Sequence, residues 1–483
     1  MQILQRQEAD EDILIIRSFE QGSEPENQTM FKAEKGELWW YSSKELWLGL
    51  GKSPKLPTII KIFRSLFFKR KDRWPDEIIL DARGREAEWA GNAINGIILG
   101  GYNLQLYKTE PKPFSTFFEE GKLWVLTGVD TSRVDTSGVD TSGVDTSDSD
   151  TITNSIATAQ KTALVQLRIM DLMNAPGNYK TPTSLGQWAK HSGAANGYRV
   201  TVFEKEELQE LGMNALLAVS KGSDEPPVMI VTEYTPEHYQ KTIALVGKGV
   251  TFDTGGISIK TAANMHLMKS DMGGAAAVLG TVELAAQLKL PVRLIGIIPS
   301  TENCVDGSSM KPGDVIGSYS GKTIEVIDTD AEGRLILADG LSYAVKEFQP
   351  DVIIDLATLT GSVIQTLGYE AAGLFTPNDE LANALSSAGD VTGERVWRLP
   401  VWDEYKEEIS SDIADVKNYH GKPLAGAIVA AKFLEAFTGE HQAWAHLDIA
   451  GTAFGDTEFA PGRAGTAYGI RLLLAYLTTA GQG

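Results

Sequence analysis

The sequence predicts an α/β protein in two parts, a small N-terminal α/β domain and a larger C-terminal domain built on a doubly wound, mixed sheet. Three observations lead there. At 483 residues the chain exceeds one typical domain. Short apolar runs alternate with stretches of helical periodicity in both halves. Between the halves, a five-residue repeat rich in Asp, Thr, Ser and Gly interrupts both patterns.

In the first part, Ile13–Ile16, Leu38–Tyr41 and Ile78–Leu80 have the length and composition of strands. Arg85 to Leu99 carries apolar residues at near-helical spacing until Gly100 and Gly101 stop it. The basic cluster Lys69-Arg70-Lys71 is short and isolated, as at a solvated helix end. The repeat then runs through Val129, Val134, Val139 and Val144, and it buries too little apolar surface to fold alone. Its spacing does not fit the glycine-rich nonapeptide that binds calcium. The expected division is therefore 1–127, an inserted linker over 128–155, and 156–483.

In the second part a helix over Ile156–Met173 ends in the turn-forming Asn174-Ala175-Pro176-Gly177. Strands are expected at Arg199–Phe203, Ile243–Val246, Val292–Ile298, Lys322–Ile327 and Asp351–Leu356, with helices between them. In sheets of this type ligands bind beyond the carboxyl ends of the strands. Charge collects at those ends.

After the fourth strand comes Asp328-Thr329-Asp330-Ala331-Glu332-Gly333-Arg334-Leu335, three acids and an arginine at the start of a helix. Taken alone, Asp330 reads as a helix cap. After the second strand, Lys248, Asp253 and Lys260 lie among Gly247, Gly249, Gly255 and Gly256, without the order of a phosphate-binding loop. A helix expected over Asn264–Leu288 holds Asp271 in a small, apolar setting, where a buried carboxylate needs a partner. Four carboxylates would balance two divalent cations, and no histidine pair has metal-ligand spacing. Such a carboxylate-rich site suits hydrolysis, because paired ions acidify a water and stabilise an oxyanion.

Composition narrows the classes further. With 64 acidic against 44 basic residues the net charge is −20, which disfavours nucleic acid and anionic membranes as partners. The single Cys304 excludes an intramolecular disulfide and a Cys-rich zinc module. No apolar run approaches membrane-spanning length, and the first residues lack the basic-then-apolar order of a signal peptide. A cytoplasmic location is expected.

These motifs resemble the cytosol leucyl aminopeptidase family. The family signature Asn-Thr-Asp-Ala-Glu-Gly-Arg-Leu is matched at 328–335, except that Asp328 replaces the asparagine. Val246–Lys260 and Met268–Gly274 match two further signatures, and weaker similarity covers Asn174–Pro176, Ala357–Gly361, Val396–Pro400 and Trp444–Gly451. The resemblance implies that 156–483 is a catalytic domain releasing N-terminal residues, leucine-like ones preferred, from peptides with a free N-terminus. It implies two metal ions, zinc or manganese. Asp253, Asp330 and Glu332 would hold one, and Lys248, Asp253, Asp271 and Glu332 the other. A bridging water or hydroxide would attack the peptide carbonyl, with Lys260 stabilising the oxyanion and Arg334 holding bicarbonate as general base. Met268, Thr358 and Gly361 match positions near the family's side-chain pocket. A homohexamer is also implied. Asp328 would either add negative charge near the metals or form a local hydrogen bond. Two rival classes share such chemistry, a regulatory protein on the same scaffold and a two-metal phosphoesterase.

Overall fold

The computed structural model describes residues 1–25, 30–128, 149–455, 458–460 and 462–481, so the repeat at 129–147 lies outside the described residues. The chain forms two compact units, Met1–Leu167 and Arg168–Gly483.

In chain order the first unit contains β1 (Gln2–Arg6), β2 (Leu14–Glu20), β3 (Leu38–Ser42), β4 (Glu45–Gly51), α1 (Leu56–Lys69), β5 (Glu77–Asp81), α2 (Ala87–Gly100) and β6 (Lys122–Leu126). Its six strands pair in the order β1-β6-β5-β2-β4-β3, and only the edge strand β3 runs antiparallel to its neighbour. Helix α1 carries Pro57 as its second residue, whose fixed φ suits a first turn, and buries Ile59, Phe63, Leu66 and Phe67. It packs on α2, and Ile16, Leu48, Ile78 and Leu123 of the sheet close the core.

Helix α3 (Ser149–Asn174) begins seven residues before the Ile156 expected from sequence and runs through the boundary at Leu167 into the second unit. The second unit continues with α4 (Pro182–Asn196), β7 (Arg199–Phe203), α5 (Lys205–Leu211), α6 (Asn214–Ser220), β8 (Val228–Tyr234), β9 (Thr242–Gly247), β10 (Gly249–Asp253) and α7 (Gly273–Leu288). After these come β11 (Arg293–Asn303), β12 (Val315–Ile316), β13 (Ile324–Glu325), α8 (Gly333–Tyr343), β14 (Val352–Ala357), α9 (Gly361–Leu367), β15 (Ala372–Phe375) and α10 (Asp379–Thr392). The chain closes with β16 (Val396–Arg398), β17 (Val416–Lys417), α11 (Gly426–Glu435), β18 (Trp444–Asp448) and α12 (Ile470–Ala480).

Among the described residues the large sheet has nine strands, ordered β16-β15-β18-β14-β9-β11-β8-β7, with β10 also paired to β11. Its centre, β18-β14-β9-β11, is parallel, and β15 and β8 flank it antiparallel. The mixed sheet expected from sequence is present. Central strands buried on both faces read as continuous apolar runs, which is how Ile243–Val246 betrays β9. Helix α7 packs on β9, β11 and β14, and the pairs α6 with α8 and α8 with α11 join Leu335, Leu341, Phe433 and Trp444 in one apolar core.

Two expectations fail locally. The run Lys322–Ile327 is not a strand of this sheet: only Ile324–Glu325 pairs, in a separate three-stranded sheet with β12 and β17. The helix expected over Asn264–Leu288 is broken into a 3-10 turn, Met265–Ser270, and α7, with Asp271 and Met272 between them. One irregularity matters for the site. The pairing of β10 with β11 shifts register between Val250 and Asp253. Among the described residues, no helix is long and apolar enough to cross a membrane.

Helix α8 is fixed partly by a buried carboxyl. Asp339 is fully buried, and its two oxygens accept the N–H groups of Leu216 at 2.9 Å and Tyr319 at 2.8 Å. Burial pushes this carboxyl up from the ordinary 3.8 to about 7, against the pull of those N–H groups. The folded chain therefore holds the proton more tightly than the unfolded chain. The stability Asp339 contributes is greatest at acidic pH and falls as pH rises from about 4 to about 7. Asp339→Asn, which offers one acceptor oxygen for two donors, should cost about 1–3 kcal/mol at pH 5. The gap between wild type and variant should narrow at pH 8, because only the wild type then buries a charge. Urea unfolding at both pH values tests this, and a gap that widens with pH contradicts it.

Candidate metal centre

Strands β9 and β10 are separated by Lys248 alone, so its side chain leaves the sheet at the carboxyl end of β9. Its Nζ lies 2.8 Å from Asp271 Oδ2 and 2.8 Å from Glu332 Oε1, and donates to the Thr358 carbonyl at 3.1 Å. Two glycines give it room. A Cβ on Gly333 would come within 2.6 Å of Lys248 Cε, and one on Gly274 within 1.9 Å of the Leu356 carbonyl. Burial alone would lower the Lys248 pKa, but Asp271, Glu332 and Asp253 outweigh it and hold the value above that of an ordinary lysine.

Asp253 closes β10, and its Oδ2 lies 2.7 Å from Lys260 Nζ. Its Oδ1 accepts from the Gly255 N–H at 2.9 Å and from Asn303 Nδ2 at 2.8 Å. Lys260 also pairs with Asp330. Carboxylate oxygens of Asp253, Asp330 and Glu332 all lie within 4.8 Å of one another. Burial, followed by the charges of Asp253 and Glu332, pushes Asp330 up to about 7. Glu332 is raised as well, by burial first and then by Asp253.

Helix α8 begins after Glu332, and no side chain caps it, so Asp330 does not act as the cap that the isolated segment suggests. Asp330 instead sits in a turn where its own N–H donates to Asp328 Oδ1 at 2.9 Å. This is the local hydrogen bond open to Asp328. The turn is braced by Asn418, fully buried, whose Oδ1 accepts the Ile327 N–H at 2.8 Å and whose Nδ2 donates to the Asp328 carbonyl at 2.6 Å. Arg334 projects from the first turn of α8, buried, with Nη1 donating to the Asn418 carbonyl at 2.6 Å and Nε without a hydrogen-bond partner. Burial pushes its guanidinium down to about 10, so it stays charged near neutrality.

Asp271 occupies the break before α7, with Oδ1 accepting from Thr358 Oγ1 at 2.7 Å. Met268, half-buried, lies one turn earlier. Gly361 opens α9 and faces open space. Lys248, Asp253, Lys260, Asp271, Asp330 and Glu332 thus form one connected cluster, and Arg334 joins it through the Asn418 brace.

Several further residues support the cluster without having been singled out from the sequence as site residues. Asn303 donates to Asp253 and to the Thr329 carbonyl, tying β10 to the acidic turn. Thr329 Oγ1 accepts from the Ser258 N–H at 2.8 Å and donates to the Gly255 carbonyl at 2.7 Å. Asp448, at the end of β18, accepts from Thr360 Oγ1 at 2.6 Å and from the Leu359 N–H at 3.2 Å. The polar end of an apolar strand could have flagged Asn303 and Asp448. Asn418 lies in irregular chain, where nothing marks it.

The cluster holds four carboxylates and two ammonium groups, so it is short of positive charge. Asp271 Oδ2 and Glu332 Oε1 both depend on the one Lys248 ammonium, at 2.8 Å each, so two buried carboxylate oxygens share a single cation. Such a donor set, oxygen-rich and underpaired, fits hard or borderline divalent cations.

Comparison with known proteins agrees with this geometry. The sequence model described as the cytosol aminopeptidase family, catalytic domain, matches residues 168–474, beginning where the second unit begins. A probable cytosol aminopeptidase of Chlorobaculum tepidum is 55% identical over 313 residues, 65% of this chain and 62% of that protein. One from Geobacter sp. strain M21 is 47% identical over 386 residues, 79% of this chain and 74% of that one. The chain thus spans 62% of the length of the Chlorobaculum relative. The solved structure of the bottromycin maturation enzyme BotP in complex with Mn superposes with a TM-score of 0.82 at 31% identity, covering 97% of this chain and 99% of that one. A family match over most of the length, with the charged signature folded into one connected cluster, assigns the chain: it belongs to the cytosol aminopeptidase family.

Proposed function

We propose that this chain is a metal-dependent aminopeptidase that releases N-terminal residues, leucine-like ones preferred, from peptides, with residues 156–483 as its catalytic part. The observation that carries the reading is the positively underpaired cluster in which buried Asp253, Asp271 and Glu332 and the more exposed Asp330 surround Lys248 and Lys260. Asp253, Asp330 and Glu332 would hold one divalent ion, and Lys248, Asp253, Asp271 and Glu332 a second. Two ions bound there would supply Lewis-acid polarisation of a peptide carbonyl and acidification of a water. Zinc and manganese both suit the donors, and the BotP structure in complex with Mn supports manganese.

The chain's own groups divide the remaining work. Burial would lower the Lys260 pKa, but Asp253, Glu332 and Asp330 hold it raised, so its ammonium is charged at neutral pH and can donate to a developing oxyanion. At 23% side-chain exposure it is within reach of a substrate. Arg334 retains its charge and an unpaired Nε, which suits a small anion, and bicarbonate held there would serve as a proton acceptor. Asp271 would lie beside the substrate's free amino group and so limit cleavage to chain ends. A cytoplasmic location and a homohexameric assembly belong to the same reading and rest on the family resemblance.

Exhaustive chelation should abolish hydrolysis of a leucine anilide, and Mn²⁺ or Zn²⁺ should restore it, with no turnover of a phosphate ester under either condition. Full activity at a metal content of zero by elemental analysis, or phosphatase activity, defeats the proposal. Asp253→Ala should lose bound metal, whereas Lys260→Ala should keep it and lower kcat by roughly a hundredfold to a thousandfold. Metal content and kcat measured on the same preparations check the contrast, and unchanged turnover in Lys260→Ala removes that residue from the mechanism.

A further inference from the structure

Asp271 is the only acid of the cluster carried neither by the end of a strand nor by the Asn418-braced turn. What fixes it is remote. The preceding 3-10 turn, Met265–Ser270, meets the carboxyl end of α3, where helix carbonyls lack intrahelical partners. Two lysines fill that demand in opposite directions. Lys180, from the segment after α3, donates through Nζ to the Met173 carbonyl at 3.0 Å and to the Lys269 carbonyl. Lys269, on the turn, donates back to the Asn174 carbonyl at 2.8 Å.

Lys180 is an unusual choice for that place. It is 1% exposed, and its ammonium is bound by carbonyls alone, with no carboxylate in the pair. Burial, with Lys269 adding to it, pushes its pKa down to about 7 against the opposing charge of Asp271. An apolar side chain would pack there without burying a charge. Its backbone is also rigidly set. The Lys180 N–H donates to the Pro176 carbonyl at 3.0 Å, and the next residue, Thr181, opens a capping box with Ser184 on α4.

We propose that Lys180 is a positioning residue for Asp271: by joining the Met173 and Lys269 carbonyls, it docks the Met265–Ser270 turn on the end of α3 and sets the reach of the Asp271 carboxylate toward Lys248. The inference rests on the two-metal reading of the site. Through the Lys269 carbonyl, Lys180 acts two residues upstream of Asp271, whose own N–H is held by the Met268 carbonyl of the same turn at 3.2 Å. Only the ion that uses Asp271 depends on that link. A lysine that merely stabilised the fold would affect both ions alike.

The test is Lys180→Met in the full chain, read by Mn²⁺ titration of the metal-free protein with calorimetry and electron paramagnetic resonance. Wild type should take up two ions. The variant should bind the Asp271-dependent ion about 10–100-fold more weakly, the usual effect of losing an outer support, while the other ion is bound as before. In an Asp271→Asn background Lys180→Met should add no further loss, since the two act as one unit. Hydrogen exchange of 265–271 in the metal-free variant should quicken relative to wild type. Lys269→Met, at a half-exposed position, should produce the same selective loss at smaller size and serves if Lys180→Met does not fold. Equal weakening of both ions, no weakening, or additivity with Asp271→Asn overturns the inference. A wild type that takes up fewer than two ions overturns the two-metal reading itself, and this inference with it.

Discussion

One buried ammonium organises the site. Lys248 holds Asp271 and Glu332, from two separate segments, 2.8 Å from the same nitrogen, with all three side chains buried. Removing one partner of a buried pair typically costs about 3–5 kcal/mol, because the charge left behind has nothing to replace it. The surrounding chain is cut to fit that nitrogen. Gly333 is bare because Lys248 passes over it, and Gly274 is bare because α7 must start against the end of β14.

The same ammonium leaves the cluster unbalanced. Two lysines cannot neutralise four acids, and Asp330 and Glu332 are raised by burial first and then by the neighbouring acids. A fold gains nothing in stability from such crowding. It makes physical sense as a site for cations, with Asn303, Thr329 and Asn418 supplying the rigidity that holds the acids in place.

The sequence revealed the charged residues and the sheet far better than the scaffold that aims them. Ile243–Val246 and Asp351–Leu356 were legible because central parallel strands are apolar on both faces. Lys322–Ile327 misled for a related reason, since its apolar residues are buried by a small separate sheet. The break at Asp271 was hidden because Gly273-Gly274 continues the small-residue pattern of α7, and only the approach of Leu356 shows why the helix must start there. Asn418 was illegible outright. Its four side-chain hydrogen bonds go to backbone atoms of residues about ninety positions away, and periodicity carries no trace of such contacts.

The register shift between Val250 and Asp253 has an outcome of its own. Along a regular strand, side chains alternate faces, so a single residue gained or lost turns every later one to the opposite side. Lys248 and Asp253 are five positions apart yet belong to one cluster, and the irregularity is what reconciles that odd spacing with the pleat. Chain length between them is therefore constrained more tightly than residue identity. Val250 and Thr251 are fully buried, so exchanges that keep their volume fit best there, whereas a further one-residue insertion would turn Asp253 out of the cluster with every ligand type still present in the sequence. Lineages that drift in length should gain no residue in this stretch while the loops far from it vary.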